Sequence, residues 1–219
     1  MTKVGTGNKD GKVSVIMPNG TKHVVIEGFF SVVDPLEGVV AGLNHLLVRD
    51  NMLWILHVDG FLYKLDLHSF QPGNTPLKPG DLEKENIGQF VLDYDFEQDA
   101  QESNPYNLTI GPERDLFIAD AAANAIIRRN KSGQLSVFAT IPDIENPTPV
   151  GPPMINSVPT GIAFNGQKFF VSSLIGFPFP EGKARIYQVD LQGKTTVYQD
   201  GFTSLVDVTL SANHRPVVV

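Results

Sequence analysis

Cysteine is absent from all 219 residues. That removes disulfide frameworks, thiol nucleophiles and thiolate metal sites together, and it suits either redox compartment. Positive charge is sparse: no run of Lys or Arg exceeds two residues and the formal net charge is -7. Nucleic acid is excluded as a main partner, because a phosphate backbone needs a dense basic surface. Long hydrophobic runs are missing too. None approaches the roughly 18 residues of a membrane helix, and Met1–Gly11 lacks the parts of a signal peptide. The expectation is a soluble chain with no membrane insertion, leaving open export as part of a longer parent protein. There is no GxSxG, HExxH, P-loop or dinucleotide fingerprint, no legible Ser-His-Asp set, and no ligand spacing among the five histidines.

Gly 20 and Pro 16 are plentiful, as many tight turns require. They punctuate one phrase, Asn104 to Ala139, which reads as four short strands: Tyr106–Ile110, Leu116–Ala119, Ala125–Arg129 and Leu135–Ala139. An earlier copy runs His45–Val48, Leu53–His57, Phe61–Leu67 and, after a loop with three prolines, Phe90–Tyr94 as its fourth strand. A later copy runs Gly161–Phe164, Phe169–Ser172, Ala184–Val189 and Thr195–Gln199. Half-phrases lie at both ends. After a loose lead-in over Met1–Gly11, Lys12–Met17 and Thr21–Ile26 flank a Pro-Asn-Gly turn and match strands three and four. Val208–Leu210 and Pro216–Val219 match strands one and two. Gly28–Ala41 reads as a connection.

Four antiparallel strands repeated in order are the signature of propeller blades, because one such sheet cannot bury both faces unless neighbours stack on it. The prediction is an all-β, NHL-like β-propeller forming one domain, or a propeller fragment, over residues 1–219, with blades near 28–94, 95–139 and 156–201. Ring closure has three readings: the terminal strands zip into one composite blade, the ring stays open, or a second copy closes it as a homo-oligomer. A sandwich with Greek-key connections explains the strand count but not why the phrase repeats in order.

Five fragments go further: ESNPYNLTI (Glu102–Ile110), IADAAANAIIR (Ile118–Arg128), VPTGIAF (Val158–Phe164), LIGFPFPEGKARIYQVD (Leu174–Asp190) and GFTSLVDVTL (Gly201–Leu210). Together they resemble the ScyD/ScyE family, bacterial NHL-like propellers, some encoded with scytonemin biosynthesis genes. The resemblance runs from about residue 10 to the C-terminus. It implies a non-catalytic ligand- or protein-binding propeller with a role linked to secondary metabolism. The chain departs from the family at Ala122 and Ala123, where glycines are more usual.

Strand one is innermost in a propeller, so residues just before it converge on the axis. That places Asn44, Asn107 and Asp207 together, with Gly161 leaving space and Glu37 and Asn104 on loops entering the same face. Carboxylate and amide oxygens suit a hard cation such as Ca²⁺. Related propeller lactonases and gluconolactonases use Glu, Asn and Asp around a divalent metal, so the alternative is a metal-dependent hydrolase or lactonase with Asp99 or Glu102 as base. The bland alternative is that these side chains cap backbone donors at the strand starts. Asp120 and Asn124 flank the AAA turn, as binding residues or as turn anchors. Phe177 and Phe179, stiffened by Pro178 and Pro180, make a low-entropy apolar projection suited to a small molecule or protein partner. That loop is expected to rim the channel mouth beside the proline-rich Ile141–Thr160 segment.

Overall fold

The computed structural model describes residues 6–33, 40–96 and 102–219. Apart from one seven-residue helix and two short 3-10 turns, its regular structure is β. The chain divides into two compact units, Met1–Asn86 and Ile87–Val219. Both Glu37 and Asp99 lie outside the described residues.

In the N-terminal unit, β1 (Thr6–Ile16) and β2 (Lys22–Val33) form a long antiparallel hairpin. Its turn contains Pro18-Asn19-Gly20. Gly20 takes φ +84°, and the Asn19 side chain accepts from the Thr21 amide at 3.0 Å. Strand therefore begins at Thr6, inside the expected lead-in, and β2 continues through the expected connection until β3 (Val40–Ala41) pairs with its end. The next blade is β4 (Leu43–Arg49), β5 (Met52–His57), β6 (Phe61–Asp66) and β7 (Glu83–Asn86), neighbours in that order. Ile26 and Phe29 of β2 pack with Ile55, Tyr63 and Leu82 in one core cluster.

The fourth strand corrects the expectation of Phe90–Tyr94. It is the charged run EKEN, where Lys64 pairs with Glu83 at 2.7 Å and Lys84 lies over the Phe61 ring at 4.3 Å. Glu and Lys have poor strand propensity, yet charge is what an edge strand tolerates. The apolar residues behind it instead form helix α1 (Ile87–Asp93), which opens the C-terminal unit and buries Ile87 and Val91, one helical turn apart.

Two blades dominate the C-terminal unit. The first is β8 (Pro105–Ile110), β9 (Leu116–Asp120), β10 (Ala125–Arg129) and β11 (Leu135–Thr140). A two-residue ladder, β12 (Ile144–Glu145) with β13 (Met154–Ile155), orders the proline-rich loop. The second blade is β14 (Pro159–Phe164), β15 (Phe169–Ser173), β16 (Ala184–Val189) and β17 (Thr195–Phe202). Phe117, Phe169 and Tyr187 are fully buried between these sheets. Each such side chain contributes about 1.5–3 kcal/mol of burial.

The last strands, β18 (Val208–Leu210) and β19 (Pro216–Val218), pair with each other in a separate sheet. No hydrogen-bonded closure joins them to β1–β3 among the described residues. No described helix is long and apolar enough to cross a membrane.

Candidate functional site

Each blade begins with the same irregularity. The inner strand carries a bulge between Leu43 and His45, between Pro105 and Asn107, and between Pro159 and Gly161. A bulge adds one unpaired residue and re-aims the side chains after it. Asn44 sits on the bulge itself, so the counterpart of Asn107 and Gly161 in the first blade is His45. That corrects the register expected for Asn44 by one residue. The extra residue has no mark of its own in the sequence, and alignment by turn positions hides it.

Opposite the residue that precedes each bulge stands the end of strand two: His57, Asp120 and Ser173. All three are buried polar residues. Asp120 is fully enclosed. Its Oδ1 accepts from the amides of Asn104, Ala122 and Ala123 at 2.9, 3.1 and 3.0 Å, and its Oδ2 accepts from Ser103 Oγ at 2.6 Å. Burial pushes its pKa above the ordinary 3.8 against these donors, which favour the carboxylate. In Ser173, Oγ accepts from the Arg185 amide at 3.0 Å and donates to its carbonyl at 3.1 Å. His57 sits against Phe29 and Tyr63, with Nε2 donating to the Phe30 carbonyl at 2.8 Å. Asp59 supports it from the turn, accepting from Tyr63 Oη at 2.7 Å and lying 2.9 Å from His57 Nδ1.

Asn124 closes the AAA turn at φ +49°, a conformation asparagine tolerates better than most residues. Its Nδ2 donates to Asp143 at 3.0 Å and its Oδ1 accepts from the Val158 amide at 3.0 Å. One side chain thereby ties two ends of the proline-rich loop to the turn. Between them opens a cleft of about 940 Å³, lined by Phe96, Glu102, Ala121–Asn124, Thr140–Asp143, Met154–Asn156 and Phe177, among others. Phe177 stands at its lip, 56% exposed, and Phe179, 61% exposed, braces it from outside in edge-to-face contact at 6.0 Å. A side chain on Gly151 would meet the Phe177 ring at 3.2 Å, so the proline-rich loop lies directly against the GFPFP loop. Two of the sequence's candidates, Asn124 and Phe177, therefore line one cleft, with Phe179 behind Phe177 and Asp120 beneath the turn.

The polar convergence near the inner strands is real within the C-terminal unit, but it is a closed one. Asn107 Nδ2 donates to Asp207 Oδ1 at 2.9 Å and to the Thr160 carbonyl at 3.2 Å. Two acceptors fix that amide with its nitrogen, not its oxygen, toward Asp207. Asp207 Oδ1 also takes the Val208 amide at 2.7 Å. Space at Gly161 is filled by backbone: an added Cβ would lie 2.5 Å from the Val208 nitrogen. A cation here would require the Asn107 amide to turn over, and the arrangement as it stands does not fit one. Asn104 contributes its backbone to the Asp120 turn, and neither it, Asn107 nor Asp207 lines the cleft. No group of three or more His, Asp or Glu able to hold a metal occurs among the described residues.

No family model and no curated protein matches the sequence. Among solved structures, virginiamycin B lyase from Staphylococcus aureus is similar with TM-score 0.52 and 20% identity, over 82% of this chain and 49% of that one. The extracellular domain of a one-component system from B. thetaiotaomicron is similar with TM-score 0.52 and 12% identity, over 94% of this chain and 24% of that one. This chain thus spans about half the length of the first and a quarter of the second. The fold is a β-propeller. At such identities the likeness carries the fold alone, and chemistry must be argued from side chains.

Proposed function

We propose that this protein is a non-catalytic, ligand-binding β-propeller whose ligand occupies the cleft between the Ala121–Asn124 turn, the proline-rich loop and the GFPFP loop. The observation that carries this reading is the cleft itself, of about 940 Å³, with Phe177 half-exposed on its lip. Small-molecule sites have this size and this mixture of apolar wall and few placed polar groups. The Asn124 bonds hold the wall in shape without a ligand, so little ordering entropy is lost on binding. The resemblance to the ScyD/ScyE family supports the same reading and links it to secondary-metabolite biosynthesis.

Ligand-observed NMR with a fragment library tests it. Hits should lose their signal with Phe177→Ala while the variant keeps its unfolding midpoint. Hits indifferent to Phe177 would place binding elsewhere. The rival reading is a divalent-metal hydrolase or lactonase built on Asn104, Asn107 and Asp207. Calorimetry with Ca²⁺, Mg²⁺, Mn²⁺ and Zn²⁺ decides it: micromolar binding abolished by Asp207→Ala would favour the rival, and no heat for any ion is the expected result.

A further inference from the structure

We propose that the cleft of the C-terminal unit selects organic cations, an ammonium or guanidinium group carried on an apolar body. The inference rests on the reading of that cleft as a ligand site and adds the sign of the ligand's charge. Three observations lead to it. First, the ionisable side chains that line the cleft are Glu102 and Asp143, with no Lys, Arg or His among the lining residues. Second, the segments that build it are free of basic residues over long stretches: none occurs from Glu85 to Glu113 or from Leu135 to Gln167. Third, the two carboxylates have no cationic partner among the described residues. Asp143 gives one oxygen to the neutral Asn124 amide, and Glu102 is exposed.

A concave wall with charge of one sign focuses its field into the cleft, which concentrates cations and repels anions. The lip supplies the complementary apolar half. Val150, Met154, Phe177 and Phe179 are all exposed on the two adjoining loops. Aromatic faces attract a cation as well as an apolar body, so the lip does not oppose the floor. An anionic ligand would meet two uncompensated carboxylates, and a neutral one would leave them unused. A cation with an apolar body uses both halves.

The test is a matched series with one body and three charges: phenethylamine, phenethyl alcohol and hydrocinnamate, measured by saturation-transfer NMR on the full chain. The ammonium should bind about 10-fold more tightly than the alcohol, with the carboxylate weakest. The Glu102→Gln, Asp143→Asn double variant should bring the ammonium to within about 2-fold of the alcohol while the alcohol is unchanged. Asparagine at 143 still offers Asn124 an acceptor, so the wall should survive, and circular dichroism checks that it does. Equal binding of ammonium and alcohol, both lost in Phe177→Ala, would overturn the cation inference and leave the cleft as a ligand site. Absence of binding by all three, or binding that Phe177→Ala leaves intact, would overturn both.

Discussion

Strand two ends in His57 in the N-terminal unit and in Asp120 in the C-terminal unit, each buried opposite the residue before a bulge. The two side chains anchor the next turn by different means. Asp120 accepts only, and it gathers three backbone amides and a hydroxyl into one carboxylate. His57 can satisfy its surroundings in either protonation state. Neutral, its Nδ1 accepts from the Asp59 amide at 3.2 Å; charged, it donates to Asp59 Oδ1 at 2.9 Å. Ser173 does the same work in the remaining blade with one hydroxyl shared between the amide and carbonyl of Arg185. The repeat specifies a polar anchor at this place, because the turn's backbone groups are partly shielded from water and are paired by a buried side chain. Which chemistry supplies the pairing is left free.

The difference should be largest on deletion. Asp120→Ala strands the donors of Ser103, Asn104, Ala122 and Ala123 in a part-buried setting. We expect a loss of about 3–5 kcal/mol in urea unfolding, since each unsatisfied buried donor costs roughly 1–3 kcal/mol and some will find water. Asp120→Asn keeps one acceptor oxygen and should lose less. A deletion cost below about 1 kcal/mol would show that the turn re-pairs without the carboxylate, and the anchor reading would be wrong.

Both anchors also respond to pH, in different windows. Burial works against the His57 imidazolium, but Asp59 and the Phe30 carbonyl outweigh it and hold its pKa above the ordinary 6.5. A raised pKa means stability that is complete below pH 6.5 and lost as pH rises through the folded value. Asp59 is the reverse: burial opposes its charge, yet His57, Tyr63 and the Phe61 amide hold its pKa below 3.8, so its contribution is lost as pH falls through that lower value. The pair is therefore strongest between about pH 3.8 and 6.5. Asp120, with its pKa raised by burial, gives stability below pH 3.8 that fades as pH rises through its folded value. Because neutral His57 still has partners, we expect its pH effect to be smaller than the loss on deleting Asp120. Replacing His57 by Gln should flatten the decline in stability above pH 6.5, and an unchanged slope would remove His57 from the account.

How much of the fold and the cleft is legible in the sequence varies with the kind of signal. The phrase from Asn104 to Ala139 folds as written, with three strand ends displaced by one residue, because β-branched runs and Gly, Asn or Asp turns alternate cleanly there. The proline-rich loop beside the GFPFP loop is legible too, since strand order alone puts those connections on one face. Charge misleads at β7: EKEN looks unlike a strand until Lys64 and Phe61 are seen holding it. Register misleads at Asn44, where a bulge leaves no residue-type mark. Asp120 is recognisable as a turn residue, but its equivalence to His57 and Ser173 is not, because Asp, His and Ser share no sequence likeness and only the ladder aligns them.

The smallest effect is expected where the apolar residues are most conspicuous. Phe177 and Phe179, read from the sequence as an apolar projection, have more than half of each surface open to solvent. They meet each other edge to face, and the Phe177 ring also lies beside Gly151. Truncating a buried Phe costs about 3–5 kcal/mol, through lost burial and the cavity left behind. An exposed ring leaves no cavity, so Phe179→Ala should change stability by no more than about 0.5 kcal/mol and Phe177→Ala only slightly more. Binding of an apolar cation should fall in both variants, more steeply for Phe177, which lines the cleft, than for Phe179, which only braces it. A stability loss of the buried-Phe size would mean the loop folds inward in solution and the cleft has no apolar lip. Equal binding losses for the two would mean the pair acts as one surface, and the lip would then extend beyond the cleft toward a larger partner.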